Sequence, residues 1–199
     1  MAGKRSENVF PMHKAAGKSA QVYQLKITLR DSRPSIWRRV LVPADITLGK
    51  LHSVIQVAMG WDDSHLHQFL IDDEYYSRPD PEELEESIDE RRMRLSSVAP
   101  PLKRSFLYEY DFGDGWEHTV TVEKVLPREA GRRYPVCLAG SRNCPPEDCG
   151  GIYGYMDMLK ILANPKHEQY EDMIEWVGED FDPERFDLED TNAGLAKLR

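Results

Sequence analysis

The sequence is short of cysteine, of positive charge and of long apolar runs, and each shortage removes a class of protein. Three cysteines in 199 residues cannot build the dense disulfide framework of a small secreted domain. Lys and Arg number 26 against 35 Asp and Glu, and the net charge of −9 argues against a broad phosphate-binding face. No window approaches the roughly 18 consecutive apolar residues of a membrane-spanning helix, and the N-terminus lacks the apolar core of a secretory signal. The expectation is a cytoplasmic protein with no membrane contact. A nucleophile elbow, a phosphate-binding Gly-rich loop, a dinucleotide fingerprint and a zincin helix are also missing.

What is present is the composition of a folded protein, 40% apolar and 31% charged, at a length that fits one domain. Residues 1–20 are polar and aperiodic, with Lys4, Arg5, Lys14 and Lys18 against Glu7; they read as a flexible basic arm. Residues 21–199 read as a single domain. "VYQLKITLRD" alternates, with Tyr23, Leu25, Ile27 and Leu29 on one side, and "IWRRVLVP" follows as its antiparallel partner. In "DITLGKLHSVIQVAMGW" the period changes. Leu48, Leu51, Val54, Ile55 and Ala58 mark a helix capped by Thr47 and stopped by Gly60. "HLHQFLID" returns to strand, and Tyr76–Arg94 reads as an acidic surface insertion with at most one short helix. "SFLYEYDFGDGWEHTVTVEKVL" is a hairpin with its turn at Gly113-Asp114-Gly115. Three helical stretches close the chain. The predicted fold class is α+β: a β-grasp-like mixed sheet with one crossing helix, plus a small C-terminal helical layer.

The residues that carry chemistry are few. Asp111-Phe112-Gly113 matches the magnesium-binding triplet of kinases, but the other kinase elements are missing and the triplet sits on a hairpin. Asp111 and Asp114 flank the turn, where Asp is favoured for bonding turn amides. His118 shares a strand face with Trp116, Val120 and Val122, so it is either a core-edge histidine or a ligand. His65 and His67 are two apart on an expected strand, which would point both rings at one metal. Cys137, Cys144 and Cys149 have a spacing unlike common zinc sites, and His118 or His167 would have to complete a zinc set. In "CPPEDCGG", Glu147 and Asp148 precede a helix N-terminus, which stabilises the helix dipole and also sets carboxylates beside free amides.

"IWRRVLVP", "LHSVIQVAMGWDDSHLHQF", "YEYDFGDGWEHTVTVEKV", "PVCLAG…CPPEDCGG" and "WVGEDFDPERFD", in that order, resemble the plasmid pRiA4b ORF-3-like family, also labelled insertion-element passenger proteins of the TnpR type. The resemblance runs from about Tyr23 to Asn192 and implies the same α+β layout. The residues that match are Trp61, His65, Asp111, Asp114, Trp116, His118, Cys137, Glu147, Asp148, Gly150 and Gly151. It implies no activity, and the resolvase hinted at by the TnpR label finds no recombinase serine motif and no helix-turn-helix here.

Three functions follow as expectations. The first is a binding or accessory module for an unknown protein or small polar ligand, with a site from Trp61, Asp111, Asp114, Trp116, Glu147 and Asp148. The second is a metal-dependent enzyme, hydrolase-like, using His65, His67 and His118, with zinc the candidate cofactor. The third is a nucleic-acid accessory protein acting through the basic arm, whose affinity would collapse with salt.

Overall fold

The two opening runs pair as expected. β1 (Gln21–Leu29) and β2 (Trp37–Pro43) lie antiparallel, from Val22 opposite Pro43 to Thr28 opposite Trp37. A register shift between Gln24 and Leu25 re-aims β1, so that Leu25, Ile27 and Leu29 are buried while Tyr23 is half-buried and Val22 takes the inward position. The structure, a computed structural model, describes residues 20–79, 87–99 and 102–198. Of the predicted basic arm only Ala20 falls among them.

The remaining elements are α1 (Leu48–Met59), β3 (His67–Ile71), β4 (Glu74–Ser77), β5 (Ile88–Asp89), α2 (Leu95–Val98), β6 (Ser105–Tyr110), β7 (Trp116–Pro127), β8 (Val136–Ser141), α3 (Gly151–Leu162), α4 (Tyr170–Val177) and α5 (Leu188–Leu195). The strands form one open mixed sheet in the order β5-β4-β3-β6-β7-β1-β2-β8. All neighbours are antiparallel except β4 and β5. The fold is therefore α+β, as predicted. Among the described residues no helix is long and apolar enough to cross a membrane.

Helix α1 begins where Thr47 Oγ1 accepts from the Lys50 amide at 3.3 Å and ends at Gly60. Its stripe of Leu48, Leu51, Val54, Ile55 and Ala58 is buried in the core shared with the sheet. Each of the four larger side chains contributes about 1.5–3 kcal/mol of burial. The sheet answers with two inward rows: Phe106, Tyr108 and Tyr110 on β6, and Trp116, His118, Val120 and Val122 on β7. Tyr110 lies opposite Trp116, Tyr108 opposite His118 and Phe106 opposite Val120. In the C-terminal layer, α5 packs on α1 and β8, where Asn192 clamps the backbone of Cys137 with bonds of 2.8 and 3.0 Å.

Three local expectations are corrected. The hairpin turn is wider than Gly113-Asp114-Gly115: the loop runs from Asp111, which has φ +56°, to Gly115, whose amide donates to the Asp111 carbonyl at 2.6 Å. Strand β3 starts at His67 and not at His65, so the two rings do not share a strand face. The segment from Tyr76 to Arg94 is not wholly a surface insertion. Its described part ends β4, pairs β5 parallel to it and folds Glu90 into the interior at 1% exposure. An acidic run with a two-residue strand has no alternation by which to announce this.

Candidate functional site

Where β3 begins and β6 ends, three loops meet. The pairing of His67 with Tyr110 brings the residues before β3 beside those after β6, and Asp111 donates its amide to the Leu66 carbonyl at 2.8 Å. The third loop, Pro145–Gly150, leads into α3.

Asp111 opens the hairpin loop, and its Oδ1 accepts from the amides of Gly113 at 2.9 Å and Asp114 at 3.3 Å. That turn bonding leaves Oδ2 free to face His65, 3.7 Å from Nε2. Asp148 Oδ1 stands 3.1 Å from the same nitrogen. One ligand atom from each of His65, Asp111 and Asp148 lies within 4.8 Å of the others. His65 Nε2 is itself buried, yet neither contact has hydrogen-bond geometry. The ring nitrogen is thus aimed between two carboxylates without being satisfied by them.

The loops are fixed by a second set of contacts. Glu147 Oε1 accepts from the Tyr110 hydroxyl at 2.6 Å and the Asp62 amide at 3.0 Å, and the Tyr110 oxygen accepts from the Ser64 amide at 3.0 Å. Burial and the bond to Glu147 push the Tyr110 hydroxyl pKa upward. The Trp61 indole N–H donates to the Pro145 carbonyl at 3.0 Å, and its ring stacks on Tyr110 with centroids 5.0 Å apart. Asp114 Oδ2 accepts from the Gly150 amide at 3.2 Å, so the hairpin tip rests on the start of α3. The approach is close enough to demand glycine: a Cβ on Gly151, at φ +67°, would stand 2.3 Å from the Asp114 carbonyl oxygen. Trp61, Asp114 and Glu147 therefore hold the loops in place, while His65, Asp111 and Asp148 present free polar atoms.

A second cluster lies deeper. His52 on α1 stacks on His67 of β3, ring centroids 3.4 Å apart and planes 5° from parallel. His52 Nε2 is bonded to Asp63 Oδ1 at 2.7 Å, and His67 Nε2 to Glu90 Oε2 at 2.8 Å. Burial, then the neighbouring His67, hold His52 down to about 4 against the pull of Asp63. A cavity of about 410 Å³ touches both clusters, lined by Asp63, His65 and His67 together with Ser77 and the exposed Arg78.

The other candidates lie apart. Trp116 is 1% exposed and His118 0%, both inside the aromatic core. Neither ring nitrogen of His118 meets hydrogen-bond geometry, and burial lowers its pKa to about 4. Cys137 and Cys144 are buried and Cys149 half-buried, all as free thiols. Burial raises all three, Cys149 to about 12. Among the described residues no cysteine joins a group of three or more ligand atoms within 4.8 Å. The expected zinc set of Cys137, Cys144 and Cys149 with His118 or His167 is not assembled. The His118 ring stands against Trp61 and Tyr108, and His167 Nδ1 accepts from the Gln169 amide at 3.2 Å. Sequence reasoning passed over His52 and Glu90. One signal was available for the first: His52 and Gln56 are a polar i, i+4 pair on the apolar side of α1, and both are buried.

Fold and site together define a class: an α+β protein of one open eight-stranded sheet, with a loop-built His–carboxylate cluster where β3 begins and β6 ends. The chain belongs to the plasmid pRiA4b ORF-3-like family, whose model matches residues 21–190. It is 41% identical over 181 residues to the uncharacterized protein y4hQ of Sinorhizobium fredii (strain NBRC 101917 / NGR234), covering 90% of this chain and 93% of that one. It is also 41% identical to MM3350 of Methanosarcina mazei Go1, a protein of unknown function with a crystal structure. The TM-score there is 0.80, over 85% of this chain and 97% of that one.

Proposed function

We propose that the protein is a cytoplasmic binding module, the accessory product of a plasmid or insertion element, whose site holds a divalent cation at His65, Asp111 and Asp148. One observation carries this reading: three donors from three separate loops converge within 4.8 Å around a buried ring nitrogen that has no well-formed hydrogen bond. One imidazole and two carboxylates suit Mg²⁺, Mn²⁺ or Zn²⁺. Side-chain exposures of 28% for His65 and 72% for Asp148 leave coordination positions open to an outside ligand. A cation there would bridge the protein to an anionic group of its partner or small polar ligand.

The test is calorimetric titration of Mn²⁺ into chelator-treated protein, with Asp111→Asn and Asp148→Asn in parallel. Asn tolerates the left-handed backbone at both positions, so both variants keep the loops. Binding in the wild type that falls at least tenfold in each variant supports the site; wild-type protein that takes up no Mn²⁺ at millimolar concentration removes it.

The adjoining 410 Å³ cavity favours a second reading, metal-dependent hydrolysis, with Arg78 meeting an anionic substrate and cation-bound water as the nucleophile. Mn²⁺-dependent hydrolysis of a nitrophenyl phosphate, lost in Asp148→Asn, is its readout. Unchanged background rates in the wild type leave the binding module alone.

A further inference from the structure

We propose that a pocket at the start of α1, separate from the cation site at His65, binds a small organic phosphate monoester with an apolar body. The pocket has a volume of about 430 Å³, the size of a small-molecule site, and Lys50, Arg94 and Arg128 all line it. Lys50 stands in the first turn of α1, while the loops around His65 begin after Gly60, so about 15 Å of helix separates the two sites. Backbone bonds bring the three cations together. Arg94 bridges to Thr47, the cap of α1; the Leu48 amide donates to the Met93 carbonyl at 2.9 Å and the Leu95 amide to the Ile46 carbonyl at 2.8 Å. Arg128 follows β7. Pro127 at the end of β7 lies opposite Gln21 and Pro43 at the end of β2 opposite Val22, so the start of β1 draws both strand ends to one edge.

Charge carries the assignment. The protein has a net charge of −9, and carboxylates match many of its arginines: Glu117 pairs with Arg30, Glu123 with Arg39 and Glu129 with Arg132. Among the described residues Lys50, Arg94 and Arg128 have no such partner. Asp45 is the one acid on the described lining, and its backbone carbonyl, not its carboxylate, accepts from Arg94 Nη1 at 2.8 Å. The Arg128 guanidinium is held over the Tyr134 ring, 5.6 Å from the centroid. Three cations against one carboxylate leave a local charge of +2. Like charges gathered in a concave site raise the local positive potential and concentrate anions there. A phosphate monoester carries about −1.5 to −2 at neutral pH and so matches the pocket, whereas a carboxylate or a sulfate ester brings a single charge.

Recognition falls to side chains, because the first amides of α1 are taken. Leu48 donates to Met93, Gly49 to the Glu90 carbonyl at 3.3 Å and Lys50 to Thr47 Oγ1 at 3.3 Å. Thr47 Oγ1 accepts in that bond and keeps its own proton to donate to a phosphate oxygen. The two guanidinium groups offer forked N–H donors that fit phosphate oxygens, and Lys50 adds a point charge. The rest of the wall includes Ile46, Val54, Pro135 and Leu198. An apolar body on the ester covers that wall, which inorganic phosphate cannot do. Wall and charge together therefore specify an ester of phosphate and not the free ion.

The experiment is titration of phenyl phosphate into chelator-treated protein, followed by backbone amide shifts in NMR spectra. Removing metal keeps the site at His65 from bridging to the phosphate. Saturable shifts centred on Lys50, Arg94 and Arg128 are expected, with affinity roughly tenfold above that for phenyl sulfate or inorganic phosphate. Lys50 and Arg128 are exposed, so Lys50→Gln and Arg128→Gln keep the fold, and each weakens binding roughly tenfold. Asp45→Asn tightens binding, a gain that misfolding cannot imitate. No shifts in this pocket at millimolar phenyl phosphate, full affinity in both Gln variants, or weaker binding in Asp45→Asn overturns the proposal. Equal affinity for inorganic phosphate overturns the ester and leaves an ion site; equal affinity for phenyl sulfate overturns the charge match. Asp111→Asn leaves the shifts unchanged, so failure of Mn²⁺ to bind at His65 and failure of this pocket are read separately.

Discussion

Asp63, His65 and His67 alternate between two clusters that are built in opposite ways. Asp63 and His67 turn inward to His52 and Glu90; His65, between them, turns to Asp111 and Asp148. The inner cluster has its two rings on a helix and a strand whose packing is set by the core, with Asp63 and Glu90 brought to them from the loop after α1 and the turn after β5. The outer one stands entirely on loops and depends on bonds such as Tyr110 to Glu147 and Trp61 to Pro145 for its shape. The lesson is that convergence of polar groups has two sources here. Rigid elements impose it on the inner cluster, and a few buried hydrogen bonds impose it on the outer.

The largest break in that contrast should come from Trp61→Ala. Its ring is 6% exposed, packs on Tyr110, Trp116 and His118, and anchors the loop that feeds both clusters. A loss of about 3–5 kcal/mol in urea unfolding is expected, with cation binding at His65 lost in the folded remainder. A loss under about 1 kcal/mol would mean that the loops stand without it.

Acid separates the core from the outer cluster next. His118 has a native pKa of about 4, lowered by burial and by Arg38 on β2, although the Trp116 and Tyr108 carbonyls favour the proton. In the unfolded chain it titrates near 6.5. The unfolded state therefore binds the proton first, so the native state loses stability as pH falls from about 6.5 to about 4, by roughly 3 kcal/mol in total. Urea midpoints across that range should drop in the wild type and drop less steeply in His118→Leu, where His52, also held down to about 4 by burial, still contributes. Parallel slopes in the two proteins would remove His118 as the cause.

Gly151→Ala is a smaller lesion confined to the outer region. The new methyl meets the Asp114 carbonyl at φ +67°, and a cost of about 1–3 kcal/mol is expected. Hydrogen exchange should rise at the start of α3 and at residues 111–115, and not in β1 or β7. Last comes Asp148→Asn. Its side chain is 72% exposed, so thermal stability should stay within about 0.5 kcal/mol while Mn²⁺ affinity falls. A large stability loss would show Asp148 to be a strut like Glu147.

Much of the scaffold was legible because its signals are local. The alternation of Phe106, Tyr108 and Tyr110 against Trp116, His118 and Val120 names the hairpin, and Thr47, the apolar stripe and Gly60 bound α1 within a residue. Asp111 was readable as a turn-bonding aspartate, though its bonds start the loop earlier than the Asp-Gly pair suggested. His65, Asp111 and Asp148 were each visible as candidates. Their meeting was not, because it needs β3 beside β6 and the α3 loop folded over both. The error over His67 has the same origin: Leu66 accepts from Asp111, and β6 decides where the strand begins.

The sequence by itself determined β1, β2, the β6–β7 hairpin, the long helices with the cap of α1, the α+β class and the family, since periodicity and capping act over a few residues. Strands β4, β5 and β8 and the width of the hairpin turn needed the fold. Only the tertiary structure decided which histidine faces which carboxylate. Glu90 reaches His67 across 23 positions, Asp111 reaches His65 across 46, and Asp148 reaches the same ring across 83. Nothing in the spacing of those residues encodes such contacts. They follow from strand order and register, which are set by burying the aromatic rows of β6 and β7 beneath α1.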